Sequence, residues 1–102
     1  MTEKLHQQAQ RGVEASQLLD NPAFRAGLDR MKSEVVAQWK ACPVRDQEGQ
    51  LLLLQLAKMT DMFEGVLISM VEGGKFAQHQ LKLDAIRNES AARKALRRAG
   101  VR

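Results

Sequence analysis

The chain has 102 residues, of which 44% are hydrophobic and 27% charged, and its formal net charge is +4. This length allows one domain at most, and the balance of residues is ordinary for a water-soluble protein. Aromatic residues make up 4% of the chain and Tyr is missing, which argues against a platform of stacked rings for single-stranded nucleic acid.

The first segment, residues 1–20, is polar and rich in Gln and Ala. Its apolar residues are too sparse for a continuous stripe and Gly12 interrupts it, so the sequence predicts a weak or partner-dependent helix. The segment has no apolar run and no small-residue cleavage site, so we expect no signal peptide and no secretion. The single cysteine, Cys42, cannot form a disulfide within the chain, which favours a reducing compartment.

The second segment, residues 21–72, opens with strong helix signals. Asn21 and Pro22 are typical of a helix N-terminus, because Asn caps the free N–H groups and Pro has none to satisfy. Apolar residues then recur every three or four positions as far as Trp39, which predicts a helix with one buried face. Pro43 ends this helix.

Asp46 is placed to cap a second helix, which the sequence predicts over 46–72. Apolar residues recur there at alternating spacings of four and three, the heptad pattern of helices that pack side by side. These positions are Leu52, Leu56, Met59, Phe63, Val66 and Met70. Because the connection from the first helix is short, we expect an antiparallel hairpin, with Phe24 near its Phe63–Met70 end.

The apolar face of this second helix is wider than one neighbouring helix can cover. The heptad residues fit either the hairpin core or a dimer seam, and the core is the favoured interpretation for Leu56, Met59 and Phe63. Three further apolar residues broaden the face and are predicted to bind a second copy or another protein. They are Leu53, Leu67 and Val71. The predicted fold is therefore an all-α, oligomeric helical hairpin with additional helical segments on either side.

The third segment, residues 73–102, begins with Gly73 and Gly74, which are predicted to break or kink the helix. Beyond them the sequence is helix-prone and basic. Six Lys and Arg stand against one Glu over 87–102, whereas residues 1–86 hold ten against eleven acidic residues. Such a tail favours an anionic partner. Four of its residues would share one flank of a helix and contact DNA phosphates: Arg93, Lys94, Arg97 and Arg98. The other interpretation is a solvated helix end that complements the helix dipole.

No group of residues suggests catalysis or a cofactor. His6 and His79 are far apart and Cys42 has no companion, so no metal site is expected. The longest apolar run, 51–54, is too short to cross a bilayer, so no membrane partner is expected. The chain is thus predicted not to be an enzyme.

The stretch from Leu18 to Leu81 resembles small helical proteins encoded among the morphogenesis genes of tailed bacteriophages and prophages. The likeness lies in LLDNPAFRAGLDRMKSEVVAQWKACPVRDQEGQ, the long apolar helix after it, and GGKFAQHQL. It implies a structural or assembly protein of a phage particle, found in the virion or the bacterial host cytoplasm, which binds itself and a larger phage protein. Two other functions also fit: a DNA-packaging accessory that uses the basic tail, and a small helical inhibitor of a host protein.

Overall fold

The computed structural model describes residues 2–100, which form three α-helices and, within that range, no strand. Helix α1 spans Thr2–Asp20, α2 spans Pro22–Ala41 and α3 spans Gln47–Arg98. The molecule is elongated, measuring 83 × 26 × 15 Å along its principal axes. The predicted all-α fold class is confirmed.

Helix α2 begins and ends where the sequence predicts. The Asn21 side chain accepts a hydrogen bond from the backbone N–H of Phe24 at 3.0 Å, and Pro22 occupies the first helical position. This arrangement satisfies one of the N–H groups that a helix start leaves free. The helix ends at Ala41, two residues before Pro43.

Helix α3 begins as predicted but runs much further. The Asp46 side chain accepts a hydrogen bond from the backbone N–H of Gly49 at 3.0 Å, which caps the helix. The prediction that Gly73 and Gly74 break the helix is wrong, because α3 continues through both to Arg98. Each Gly costs a helix about 1 kcal/mol relative to Ala, a penalty that tertiary packing offsets where a second helix lies alongside.

Helix α1 is that second helix, and it is continuous rather than interrupted at Gly12. It packs on the C-terminal half of α3. Gly12 and Ala15 are buried on α1, and Gly74 and Ala77 are buried on α3. The residues that the two helices bury are therefore small, which brings their backbones close together.

The crossing of α1 and α3 depends on Gly12 and Gly74. A Cβ atom built on Gly12 would lie 2.6 Å from the Cα of Gly74, and one built on Gly74 would lie 2.6 Å from the Cα of Gly12. Backbone atoms cannot move aside as a flexible side chain can, so any larger residue would push the helices apart. Glycine at both positions is what permits this approach.

Helix α2 packs on the N-terminal half of α3. The ring centroids of Phe24 and Phe63 are 6.2 Å apart, which confirms the predicted approach of Phe24 to this part of α3. The hydroxyl of Thr60 lies 3.6 Å from the sulfur of Met31. Phe24 thus meets Phe63, whereas Met31, which comes later in α2, meets Thr60, which comes earlier in α3. The two helices therefore run in opposite directions.

Glu64 joins α2 to α3 through two ion pairs. Its carboxylate accepts hydrogen bonds from Lys32 Nζ at 2.7 Å and from the Arg25 guanidinium at 3.2 Å. The hydrogen bond from Lys32 lowers the pKa of Glu64 and raises the pKa of Lys32. Asp61 and Asp29 add to the raised pKa of Lys32 through their charges.

We expect Gly74→Ala to lower the free energy of unfolding by about 1–3 kcal/mol, because its methyl group would meet the backbone of Gly12. Gly73→Ala is the matched control, since nothing lies within 4 Å of a Cβ built there. That substitution should raise the free energy of unfolding by about 0.5–1 kcal/mol through helix propensity. Urea unfolding followed by circular dichroism measures both. Stabilisation by both substitutions would rule out the close crossing.

We expect Glu64→Gln to lower the free energy of unfolding at neutral pH. The pKa of Glu64 in the folded chain lies below the ordinary glutamate pKa of ~4.3. Ionised Glu64 therefore stabilises the fold above that ordinary pKa, and this stabilisation is lost as the pH falls through the folded-state pKa. Urea unfolding at pH 7 and at about pH 3 should therefore show a smaller acid loss in the variant than in the unmodified chain.

The control for this prediction is Glu34→Gln. Glu34 pairs with Arg30 at 3.1 Å, but both residues lie in α2, so this ion pair joins no two helices. It is also more exposed than the pair at Glu64, and exposed pairs contribute little. Equal effects of the two substitutions would show that the ion pairs of Glu64 do not hold α2 against α3.

Candidate interaction surface

The residues of α3 that face α1 and α2 form an inner seam of mostly small or polar side chains. They recur at alternating spacings of four and three, and each is buried or half-buried. The inner seam consists of Leu53, Ala57, Thr60, Glu64, Leu67, Val71 and Gly74. Four of these seven are small or polar, so the seam buries little apolar area.

Six of the exposed large apolar residues of α3 lie beside this seam and form an outer face. The outer face consists of Leu52, Leu56, Met59, Met62, Phe63 and Val66, which are between 48% and 67% exposed. The prediction that Leu56, Met59 and Phe63 form the core is therefore wrong. The heptad that is buried is displaced by one residue from the predicted heptad. Because successive residues of a helix differ by about 100° around its axis, this displacement places the predicted residues beside the buried face.

The three residues predicted to bind a partner lie in the inner seam instead. Leu67 is only 7% exposed, and Leu53 and Val71 are half-buried. Leu67 is therefore not exposed to a partner as its predicted role requires, because the displaced register turns it toward the neighbouring helices. Leu53 and Val71 keep only part of their surface for contact with another chain.

The outer face carries no charge. Gln55 and Ser69, which flank it along α3, are uncharged. On the α2 side, the groove that contains Leu56 is lined by Arg30 and Glu34, which form an ion pair with each other. The outer face is thus an apolar strip, and its border with α2 carries one positive and one negative charge. Many protein interfaces likewise have an apolar centre and a polar rim.

The basic residues predicted to contact phosphates lie far from this strip. Arg93, Lys94, Arg97 and Arg98 are all exposed near the C-terminal end of α3, and every described residue from 85 onward is exposed. The Arg93 guanidinium donates a hydrogen bond to Glu89 at 2.7 Å. We call residues 87–98 the basic end. Arg102, which belonged to the predicted tail, lies outside the described residues.

Within residues 2–100 no group of three or more His, Cys, Asp and Glu side chains could hold a metal ion. Burial, followed by the charge of Asp46, raises the pKa of the Cys42 thiol, which favours the protonated, less nucleophilic form. In the same part of the chain, no helix has both the length and the apolar character needed to cross a membrane.

Comparison of the chain with protein-family models, with curated proteins and with solved structures finds no match. Function must therefore be argued from the surfaces of the molecule. Two of them have distinct chemistry: the uncharged, apolar outer face and the exposed basic end.

Proposed function

We propose that the chain is a non-enzymatic structural or assembly protein of a phage particle, acting through helix-mediated contacts with itself and with a larger phage protein. The observation that carries this proposal is the outer face, where six large apolar side chains are about half exposed or more. Contiguous apolar surface of this kind marks protein-binding sites. The proposal includes a hairpin core over residues 21–72 that associates with further chains.

The total surface supports the same proposal. The chain exposes 8445 Å² of accessible surface. A compact monomer of 11.4 kDa would expose roughly 5,800 Å², which leaves a surplus of roughly 2,600 Å². Part of the surplus belongs to the basic end, which is a lone helix, and part belongs to the exposed apolar side chains of the outer face. Obligate interfaces bury about 1,000–2,500 Å² per partner, so a surplus of this size suits a chain that works in an assembly.

The phage context of the proposal comes from the resemblance over Leu18–Leu81. That resemblance includes the long apolar helix that carries the outer face, and it adds caps, a Pro break and a Gly pair that lie outside this face. A helical inhibitor of a host protein would present a similar face, so only the location of the protein in infected cells separates these two functions.

The second candidate function is a DNA-packaging accessory, and the basic end favours it. Four exposed cationic residues follow one another within six positions of an isolated helix, at Arg93, Lys94, Arg97 and Arg98. Phosphate contacts from such a helix give affinity without sequence reading. One of the four, Arg93, is already paired with Glu89, which leaves three cations free of an ion pair among the described residues.

The first prediction from this proposal concerns particles. Mass spectrometry of gradient-purified particles or assembly intermediates should find the chain at a fixed copy number. Met59→Glu, which places a charge on the outer face, should reduce its incorporation at least tenfold. Ile68→Glu is the control, because Ile68 is exposed on the same helix outside the outer face. Recovery of the chain only in a soluble complex with a host protein would contradict the structural role and favour the inhibitor.

The second prediction tests the basic end. Affinity for duplex DNA should fall with salt, with a log–log slope of about −3 to −4 for roughly four phosphate contacts. Changing all four cations to Gln should abolish binding, because they lie on an exposed helix end. The control removes four other exposed cations and has the same net charge: Lys40, Arg45, Lys58 and Lys75. Equal losses in the two variants, or no binding by the unmodified chain at about 50 mM salt, would exclude this function.

A further inference from the structure

We infer that the occupant of the outer face is a second copy of this chain, packed outer face to outer face. This inference rests on the proposed function and deepens it, because it names both the surface and its first partner. Three observations favour a second copy: the spacing of the outer face, its lack of charge, and the area that the chain leaves uncovered.

The spacing of the outer face is that of a coiled-coil seam. Five of its residues continue the 4, 3, 4, 3 pattern: Leu52, Leu56, Met59, Phe63 and Val66. This pattern keeps a helix in contact with a second long helix, whereas a globular partner requires no such regularity. Helix α3 is 52 residues long, and its contact with α2 leaves the outer face exposed. The partner that fits is therefore a long helix with the same repeat, which a second α3 provides.

The charges bordering the outer face permit self-pairing. In coiled coils, partner choice is set largely by charged residues that flank the seam, and like charges there prevent two identical helices from pairing. On one side the flanking positions are Gln55, Met62 and Ser69, all uncharged. On the other side they are Leu53, Thr60 and Leu67, which α3 already turns toward its own chain. Along α3, therefore, no repulsive pair is created when the face meets its copy. On the α1 side Arg11 borders Met62 and Val66, and its charge is paired with Glu14.

The area agrees with a dimer. Burying the outer face would remove part of a surplus of roughly 2,600 Å² per chain, and a stable dimer needs about 800 Å² from each partner. The core within one chain is small: among residues 2–100 the buried hydrophobic residues are Ala15, Leu28, Leu67 and Ala77, and no large side chain there is fully buried. A second copy would therefore supply the large apolar contacts that the single chain lacks.

The decisive measurement is the molecular mass in solution of the full chain and of two single variants. For the unmodified chain at about 50 µM, light scattering and sedimentation should give a molecular mass of at least twice the 11.4 kDa of one chain. Met59→Glu should weaken association at least tenfold while circular dichroism remains helical. Ile68→Glu should associate as the unmodified chain does. A monomeric unmodified chain, or an oligomer indifferent to Met59→Glu, overturns the inference.

A cross-link keeps the test independent of variant folding. In a Cys42→Ser background, Met59→Cys places one thiol near the centre of the outer face, and mild oxidation should give a disulfide-linked dimer. Val44→Cys is the control, since Val44 is 90% exposed in the connection between α2 and α3, away from the outer face. Equal cross-linking through Met59→Cys and Val44→Cys would overturn the inference. So would a chain that is dimeric by mass but forms no disulfide at either position.

The two proposals can fail separately. A chain that enters particles but is monomeric and does not cross-link through Met59 would refute self-pairing and leave the assembly role intact. A chain that dimerises through the outer face but is missing from particles and their precursors would refute the assembly role and leave self-pairing intact.

Discussion

The architecture depends on how closely α1 approaches α3 where Gly12 meets Gly74. Two helices whose backbones nearly touch leave no room between them for large side chains. At this crossing α3 accordingly buries Gly74 and Ala77, at positions where a thicker protein would place Leu or Ile. The narrow dimensions of the molecule follow from this constraint. The large apolar residues of the outer face stay about half exposed or more, even Phe63, which packs against Phe24.

A thin molecule of this kind gains little folding stability from its own hydrophobic core. Apolar burial contributes roughly 25 cal/mol per Å², so seams built from Gly, Ala and Thr supply far less than seams built from Leu and Phe. Polar contacts compensate in part, above all at Glu64, which holds Lys32 and Arg25 of α2 against α3. Any partner that covers the outer face binds the folded chain only, so its binding would also stabilise the fold. Association and folding are coupled in such a chain.

The parts of the fold predictable from the sequence were those set by local chemistry. The caps at Asn21 and Asp46 and the end of α2 before Pro43 depend on neighbouring residues alone, and they were predicted correctly. The continuation of α3 through Gly74 was not, because the same residue that usually breaks a helix is required here by a partner sixty-two positions away, Gly12. No local pattern reports a contact of that kind.

The register of the buried face was missed for a related reason. The sequence contains two heptads on α3, offset by one residue, and the more apolar one was assigned to the core. The helix instead buries the one that includes Ala57, Thr60 and Glu64. The Thr60 hydroxyl lies against Met31 of α2, and the Glu64 carboxylate pairs with two cations of the same helix. The signal was present in the recurrence of small residues at heptad spacing, together with Gly12 in α1. The heptad of large residues from Leu52 to Val66 is left about half exposed or more on the same helix.

The two functional surfaces are distant enough to act independently. Val66 and Arg93 are 27 positions apart on one continuous helix, which at 1.5 Å per residue separates them by about 40 Å. Electrostatic effects between exposed groups fade over about 8 Å at physiological salt, so an anionic partner on the basic end would not perturb a neutral contact on the outer face. Steric interference is also avoided, because α1 packs on the part of α3 between them. The assembly role and a nucleic-acid role are therefore not competing uses of one site: a chain joined to its copy through the outer face would still present the basic end of each copy to solvent.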